Sequence, residues 1–201
     1  ASYRRQRQMC IRDSKAREFE VDRKSRFKKG SGLPIRIPVI EMVEIGAGGG
    51  SIARVNKLDQ ITIGPDSAGA DPGPACYGLG GQEPTITDAD LIIGKINPDH
   101  FASGKIKLFR KKSELAIREK ISKPLKLNLE MSALGITEMV DETMANAARV
   151  HAVEQGQDTE NKTLIAFGGA APLHVSRIAE KLKVRKIIIP TNASVGSAVN
   201  F

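Results

Sequence analysis

Two short glycine-rich segments contain the residue types best suited to hold a ligand through backbone contacts. The first, residues 46–51, lies between two apolar runs of strand character, and the second, residues 168–170, joins an apolar run to a helical pattern. A backbone without side chains can adopt left-handed conformations and can bring its N–H groups close to a ligand. At 168–170 the ligand would also meet the N-terminus of a helix, which favours anions.

Neither segment is specific by itself. Residues 46–51 do not match the G-x-G-x-x-G fingerprint, since Ser51 takes the place of the last glycine, and they lack the Gly-Lys-Ser/Thr ending of a Walker A motif. An ordinary tight hairpin at 46–51 and a plain strand-to-helix turn at 168–170 therefore stay open as alternatives. The presence of both segments in one chain favours the functional interpretation.

Three polar side chains near these segments are candidates for catalysis. Glu44 precedes the first segment, Asp71 lies in a stretch rich in Gly and Pro, and His174 lies in the first turn of the helix predicted after the second segment. A carboxylate can act as a base, and an imidazole can transfer a proton near neutral pH. Each also has a structural interpretation: Asp71 precedes a proline and can start a turn, and for His174 we favour a hydrogen bond across a loop.

The positive charge of the chain is concentrated at its N-terminal end. The formal net charge is +8, yet residues 1–30 contain eleven Lys or Arg against four Asp or Glu, so the remainder is almost neutral. With no Trp, two Tyr and six Phe, little aromatic surface is available for base stacking, and we expect no nucleic-acid partner. No apolar run is long enough to span a bilayer, and the two cysteines show no pairing pattern. We expect a cytoplasmic protein without membrane contact.

The pattern of apolar residues predicts an α/β fold. Residues 1–18 show no periodicity, and we expect a disordered or artefactual segment there, with a basic arm for a polyanion as the alternative. Residues 19–201 are expected to form one partial domain. It begins with a β-meander and continues with three helices and a βαβ unit with parallel strands. The predicted ranges are strands 38–45, 51–56 and 60–64, helices 87–93, 113–123 and 134–155, and the βαβ unit 164–189.

Several motifs taken together resemble the hydantoinase A / 5-oxoprolinase family. In chain order they are GSGLP at 30–34, VEIGAGGGSIA at 43–53, GP at 64–65, SAGADPGPACYG at 67–78, PT at 84–85, TDA at 87–89, AFGGA at 166–170 and PLH at 172–174. The resemblance extends over roughly residues 19–201.

The resemblance implies an actin/Hsp70/sugar-kinase-like ATPase fold, with ATP and Mg²⁺ as cofactors. It also implies a cyclic amide of the hydantoin or 5-oxoproline type as substrate, and a hydantoinase B-type subunit or fused domain as partner. Phosphorylation of the amide oxygen would create a leaving group, and water would then attack. Two alternatives stay open: a subunit of an acetone or acetophenone carboxylase-like enzyme, and a non-catalytic actin-like nucleotide-binding protein.

By position, the resemblance assigns eight residues to the nucleotide and none to a metal. They are Gly46, Gly48, Gly49, Gly50 and Ser51 near the phosphates or the substrate, and Gly168, Gly169 and Ala170 near the adenosine and ribose. Ala171 stands where the family usually has glycine, which adds a methyl group to this turn. The family's Asp-x-Gly-Gly-Thr motif and its second Gly-Gly-Thr loop are absent from the sequence. We therefore expect an internal fragment that is inactive in isolation.

Overall fold

The computed structural model describes residues 15–21, 30, 32–39 and 45–195, and the chain divides into two compact units, Ala1–Glu44 and Ile45–Phe201. The first unit contains an antiparallel pair formed by β1 (Lys15–Val21) and β2 (Leu33–Val39). Strand β1 begins within the predicted segment 1–18, and the rest of that segment lies outside the described residues.

The second unit begins with an antiparallel hairpin of β3 (Ser51–Val55) and β4 (Ile61–Ser67). The side-chain oxygen of Asn56 accepts hydrogen bonds from the backbone of Leu58 and Gln60, which closes the turn between the strands. The pairing of the second and third predicted strands is thus confirmed. The first predicted strand, 38–45, begins within the end of β2, and residues 40–44 lie outside the described part of the chain.

Helix α1 (Ile86–Ile92) starts at a capping box. The hydroxyl of Thr85 accepts a hydrogen bond from the backbone of Asp88, and the carboxylate of Asp88 accepts one from the backbone of Thr85. This reciprocal arrangement satisfies two N–H groups that have no partner inside the helix. The helix begins one residue before the predicted start at 87, because the extended backbone that precedes it ends at Thr85.

The next helical segment is longer than predicted and changes its geometry along its length. It consists of α2 (Arg110–Ile117), a π-helical turn (Arg118–Ser122) and the short α3 (Lys123–Leu125). We expected Pro124 to end the helix at 123. Instead Pro124 lies within this continuous helical segment, two residues after the π-helical turn, and the helix continues to Leu125.

Helix α4 (Leu129–Glu154) is the longest element and starts five residues earlier than predicted. Its N-cap is Asn128, whose side chain accepts a hydrogen bond from the backbone of Met131 at 2.7 Å. Within the predicted range, Ile136 and Val140 are fully buried, whereas Met139 is 39% exposed. The buried residues of α4 lie between Leu129 and Ala145, in the N-terminal two thirds of the helix.

The C-terminal part of the described chain is a βαβ unit, as predicted. Strands β5 (Thr163–Ile165) and β6 (Lys186–Ile188) pair in parallel, and α5 (Ala171–Leu182) connects them. Both strands expose most of their side chains.

Apart from a small cluster of Cys76, Leu91 and Leu108, two apolar clusters pack the described part of the second unit. The larger one joins the β3–β4 hairpin to the helices, and the smaller one joins α4 to α5. The larger contains Ala53, Ile86, Ala89, Ile92, Ile117, Ile121, Leu129, Ala133, Ile136 and Val140, and the smaller contains Ala145, Ala179, Leu182 and Val184. Among the helices that the structure describes, none combines the length and the apolar character needed to cross a bilayer.

Candidate functional site

The first glycine segment is folded onto itself by the side chain of Ser51. Its hydroxyl accepts a hydrogen bond from the backbone of Gly48 at 3.0 Å and donates one to the carbonyl of Gly46 at 3.2 Å. The backbone N–H of Ser51 also donates to the carbonyl of Gly48 at 2.8 Å. The Ser51 side chain is 5% exposed, so its hydroxyl shapes the turn and faces away from solvent.

The same segment is attached to helix α1. The carbonyl of Gly49 accepts hydrogen bonds from both the backbone and the hydroxyl of Thr87, each at 2.9 Å. A Cβ atom on Gly49 would lie 2.7 Å from the Thr87 hydroxyl, and one on Gly50 would lie 2.9 Å from the hydroxyl of Ser67. Close packing within the protein therefore explains these two glycines.

Left-handed conformations, which we anticipated for residues 46–51, occur at none of the glycines in this segment. The turn still presents free donors, because the N–H groups of Gly49 and Gly50 have no acceptor within the described part of the chain. Of the glycines here, Gly48 alone has open space where a Cβ would stand. The N–H groups that the first segment can donate to a ligand are therefore those of Gly49 and Gly50.

The second glycine segment is open. Gly168 has a φ of +105° and donates its N–H to the carbonyl of Ala193 at 2.6 Å. A Cβ atom on Gly168 or Gly169 would meet no atom of the described residues within 4 Å. Ala170 caps α5 without a side-chain hydrogen bond, and the N–H groups of Gly169 and Ala170 have no acceptor among the residues described. Free donors at a helix N-terminus form a site suited to a phosphate.

A buried carboxylate organises the stretch between these segments. Asp88 accepts five hydrogen bonds: from the backbone of Ala75, Cys76 and Thr85, and from the hydroxyls of Thr85 and Ser113. Burial, with a further contribution from the charge of Asp88, raises the pKa of the Cys76 thiol well above its ordinary range. The thiol therefore stays protonated and is not an activated nucleophile.

A second buried cluster surrounds His174, which is completely inaccessible to solvent. Its Nδ1 lies 2.7 Å from Oδ1 of Asp141, and its Nε2 lies 3.2 Å from Oδ2 of Asp90. The first contact, with Asp141, is a hydrogen bond. The second, with Asp90, is not aligned for a hydrogen bond and is an electrostatic attraction. The ammonium of Lys95 lies 3.6 Å from Asp90 and 4.0 Å from Asp141.

The charges of this cluster balance when the imidazole is protonated. Burial by itself lowers the pKa of His174, but the hydrogen bond to Asp141 and the adjacent carboxylate of Asp90 more than offset it and raise the pKa to about 9. At neutral pH two carboxylates therefore face two cations, His174 and Lys95. A neutral imidazole would leave one buried negative charge without compensation.

Helix α1 connects the two glycine segments through these contacts. Thr87 holds Gly49, and Asp90, three residues later on the same face of α1, faces His174. His174 belongs to the first turn of α5, directly after the open turn at 168–170.

The exposed side of the α4–α5 interface carries a different set of ion pairs. Arg177 forms two hydrogen bonds with Glu138, each at 3.0 Å, and Lys181 bonds Glu138 at 2.6 Å and Glu142 at 2.7 Å. The hydrogen bonds from Arg177, followed by those from Lys181, lower the pKa of Glu138 to about 2.

The three predicted catalytic candidates have very different surroundings. Glu44 lies outside the described residues. Asp71 is exposed in the irregular stretch after β4. His174 is fully buried. The hydrogen bond that we favoured for it is present, but its partner is Asp141 on helix α4 and not a group across a loop.

The partners of His174 were not predicted from the sequence. Asp90 and Asp141 each occupy a buried position on a helix, next to buried apolar residues. A carboxylate at such a position is a signal that could have found them, since an isolated buried charge is costly. Among the described residues, no group of three or more His, Cys, Asp or Glu side chains is arranged to hold a metal ion.

The fold and these sites define a class of protein. The mixed α/β architecture, with a hairpin, packed helices and a βαβ unit ending in an open glycine turn, is that of an actin-like ATPase type of fold. The solved ATP-dependent caprolactamase from Pseudomonas jessenii matches it with a TM-score of 0.74 and 41% sequence identity, over 85% of this chain and 25% of that one.

The sequence model of the family described as Hydantoinase/oxoprolinase matches residues 9–201, and the chain belongs to this family. Caprolactamase subunit alpha of Pseudomonas jessenii is 43% identical over 80% of this chain and 23% of its own length. The acetophenone carboxylase gamma subunit of Aromatoleum aromaticum is 40% identical over 82% and 23%, respectively. The chain thus spans about a quarter of the length of these relatives.

Proposed function

We propose that this chain is part of an ATP-dependent amidohydrolase that opens cyclic amides of the hydantoin or 5-oxoproline type. The observation that carries the proposal is the open turn at 168–170, where two glycines leave free space in front of a helix N-terminus. Family membership and a 43% identity to a caprolactamase subunit support the amide substrate.

The open turn is the part of the chain that fits ATP. Gly168 and Gly169 leave room for a ligand, and the free N–H groups of Gly169 and Ala170 are suited to its polar atoms. We propose that the first segment borders the same site near the phosphates or the substrate. Its contribution would come from Gly46, Gly48, Gly49, Gly50 and Ser51, with the unbonded N–H groups of Gly49 and Gly50 as donors.

ATP would supply a phosphoryl group that turns the amide oxygen into a leaving group, with Mg²⁺ as its usual companion ion. This chain's residues would bind and orient the nucleotide, which is the main source of rate acceleration in such reactions. His174 cannot touch a substrate because it is completely buried. Glu44 and Asp71 remain the candidates for a base that activates water.

We propose that the chain acts within a longer protein and together with a hydantoinase B-type subunit or fused domain. The support is its span of about a quarter of its relatives' length, and the description of those relatives as alpha and gamma subunits. In isolation it would bind nucleotide weakly and would not turn over substrate. Hydrolysis of 5-oxoproline or hydantoin by the 201 residues alone would contradict this.

A second candidate function is ATP-dependent carboxylation of a ketone. The observation that favours it is the 40% identity to an acetophenone carboxylase subunit over 82% of this chain. The turn at 168–170 is equally compatible with this chemistry, because both reactions begin with ATP.

Two glycines allow a clean test of nucleotide binding. Gly48 and Gly169 are the described glycines that combine open space at the Cβ position with a φ outside the left-handed region. Replacing either by valine should therefore preserve the fold. We expect Gly169→Val to weaken MgATP binding about tenfold or more in calorimetric titrations. Ser176→Val, at an exposed position further along α5, is the matched control.

Unchanged MgATP affinity in Gly169→Val would contradict the assignment of the turn at 168–170. Substrate choice is tested on the complete protein that contains this segment. Phosphate release should depend on a cyclic amide such as 5-oxoproline, hydantoin or a lactam. Dependence on bicarbonate and a ketone would instead support the carboxylase, and turnover without either would support a nucleotide-binding protein that is not an amidohydrolase.

A further inference from the structure

The two glycine segments are far apart in the sequence, but side chains of the same helix, α1, connect to both of them. Gly49 is held by Thr87 through two hydrogen bonds of 2.9 Å. One turn further along α1, Asp90 faces the imidazole of His174 at 3.2 Å. His174 in turn belongs to the turn of α5 that follows Ala170.

We propose that His174 is a positioning residue: held between Asp90 and Asp141, it fixes the first turn of α5 and thereby sets the open turn at 168–170 relative to α1 and the first glycine segment. The proposal rests on the proposed function for its consequence on nucleotide binding. The geometric part, the coupling of the two turns through α1, stands independently of it.

Apart from the contacts of His174, few hydrogen bonds of the described residues restrain the turn at 168–170. Gly168 donates one hydrogen bond to Ala193, and Ala170 caps α5 without a side-chain contact. The exposed ion pairs of α5 begin later, at Arg177. His174 is therefore the polar contact that anchors the beginning of α5, and it does so from a position that no ligand can reach.

The anchor depends on the charge of the imidazole. The charged groups that face His174 are Asp90 from α1, Asp141 from α4 and Lys95 from the segment after α1. A protonated ring is attracted by both carboxylates. A neutral ring keeps at most the hydrogen bond with Asp141 and loses its attraction to Asp90, so the link to α1 weakens first.

The first part of the test titrates the native 201-residue chain, and variants serve only to assign its signals. The chain contains three histidines, so substitution of His100 and His151 by glutamine assigns the imidazole signals in an NMR titration. We expect deprotonation of His174 to shift the backbone ¹³Cα signals of Gly169 and of Gly49 together, with one midpoint. Movement of Gly169 alone, or of neither, would overturn the coupling.

The second part measures MgATP affinity. We expect wild-type affinity to fall about tenfold between about pH 7 and about pH 9.5. Asp90→Asn should bind more weakly at neutral pH and should move the His174 midpoint to lower pH. Glu138→Gln, on the exposed side of the same helix pair, should change neither quantity.

The outcomes separate the two proposals. If the wild type binds no MgATP although its ¹³Cα signals shift as expected, the positioning role holds and the proposed function fails for this chain. If MgATP binds with an affinity that is independent of pH and unchanged in Asp90→Asn, the positioning role is overturned and nucleotide binding is kept. Because Asp90→Asn keeps the size of the side chain, and the pH titration uses the native sequence, loss of folding does not obscure the result.

Discussion

The interface between α4 and α5 is held by two ionic clusters that differ in almost every physical respect. The buried cluster places His174 between Asp141 and Asp90, whereas the exposed cluster joins Arg177 and Lys181 to Glu138. The buried charges have lost their hydration and depend on each other, so removal of one partner is costly. The exposed charges keep water as an alternative partner, so each pair contributes little.

The two clusters also respond to opposite changes of pH. The pKa of His174 is raised to about 9, so its contribution is complete below its ordinary value of 6.5 and is lost as the pH rises through about 9. The pKa of Glu138 is lowered to about 2, so its contribution is complete above its ordinary value of 4.5 and is lost as the pH falls through about 2. The buried cluster thus loses its contribution to stability at alkaline pH, and the exposed cluster loses its contribution at acid pH.

The largest expected effect is the loss of the buried imidazolium. His174→Leu leaves Asp90 and Asp141 with Lys95 as their compensating cation. We expect the free energy of unfolding, measured by urea denaturation at pH 7, to fall by about 3–5 kcal/mol. A loss below about 1 kcal/mol would show that the two clusters do not differ in the way described.

The loss of folding stability at alkaline pH is the next largest expected effect. Between about pH 6.5 and about pH 9.5 the wild-type chain should lose on the order of 3 kcal/mol of stability, because a raised pKa makes the folded state bind the proton more tightly. His174→Gln should show a flatter profile over this range. Equal slopes in the two proteins would assign the alkaline loss to other groups.

The two carboxylates of the buried cluster should differ from each other. Asp141 receives a hydrogen bond of 2.7 Å, whereas Asp90 makes an unaligned contact of 3.2 Å and has an oxygen atom without a hydrogen-bond partner. We expect Asp141→Asn to cost about 2–3 kcal/mol and Asp90→Asn about 1 kcal/mol. The reverse order, in the same denaturation experiment, would place the main contact on α1.

The exposed cluster should give the smallest effect. After allowance for solvent screening, we expect Glu138→Gln to cost less than about 1 kcal/mol. The difference from wild type should shrink further in molar salt, and it should vanish as the pH falls toward about 2. A salt-independent loss as large as that of His174→Leu would contradict the distinction between the clusters.

The regular elements were largely predictable from the sequence, and their ends were not. The βαβ unit was found because proline and glycine punctuate a strong helical period between two apolar runs. The start of α4 was missed because the capping role of Asn128 was not considered, although Asn is a frequent N-cap. Pro124 was taken as a helix end, whereas the helical segment passes through it after a π-helical turn that the sequence pattern did not indicate.

The candidate site was predictable as a set of segments but not as a set of contacts. Residues 168–170 could be recognised from glycines before a helix. The reason for Gly49 and Gly50 could not, because it depends on the hydroxyls of Thr87 and Ser67, which the chain brings close only after folding. For the same reason the location of His174 between Asp90 and Asp141 requires three helices to be in place.

The five hydrogen bonds that converge on Asp88 have a consequence for the exchange of backbone hydrogens with solvent. The amides of Ala75 and Cys76 belong to an irregular stretch rich in glycine and proline, where fast exchange is the usual expectation. Their acceptor, however, lies in α1 and is also bonded by Ser113 of α2. These two amides can open only when the packing of both helices opens, so they should exchange as slowly as the helical core.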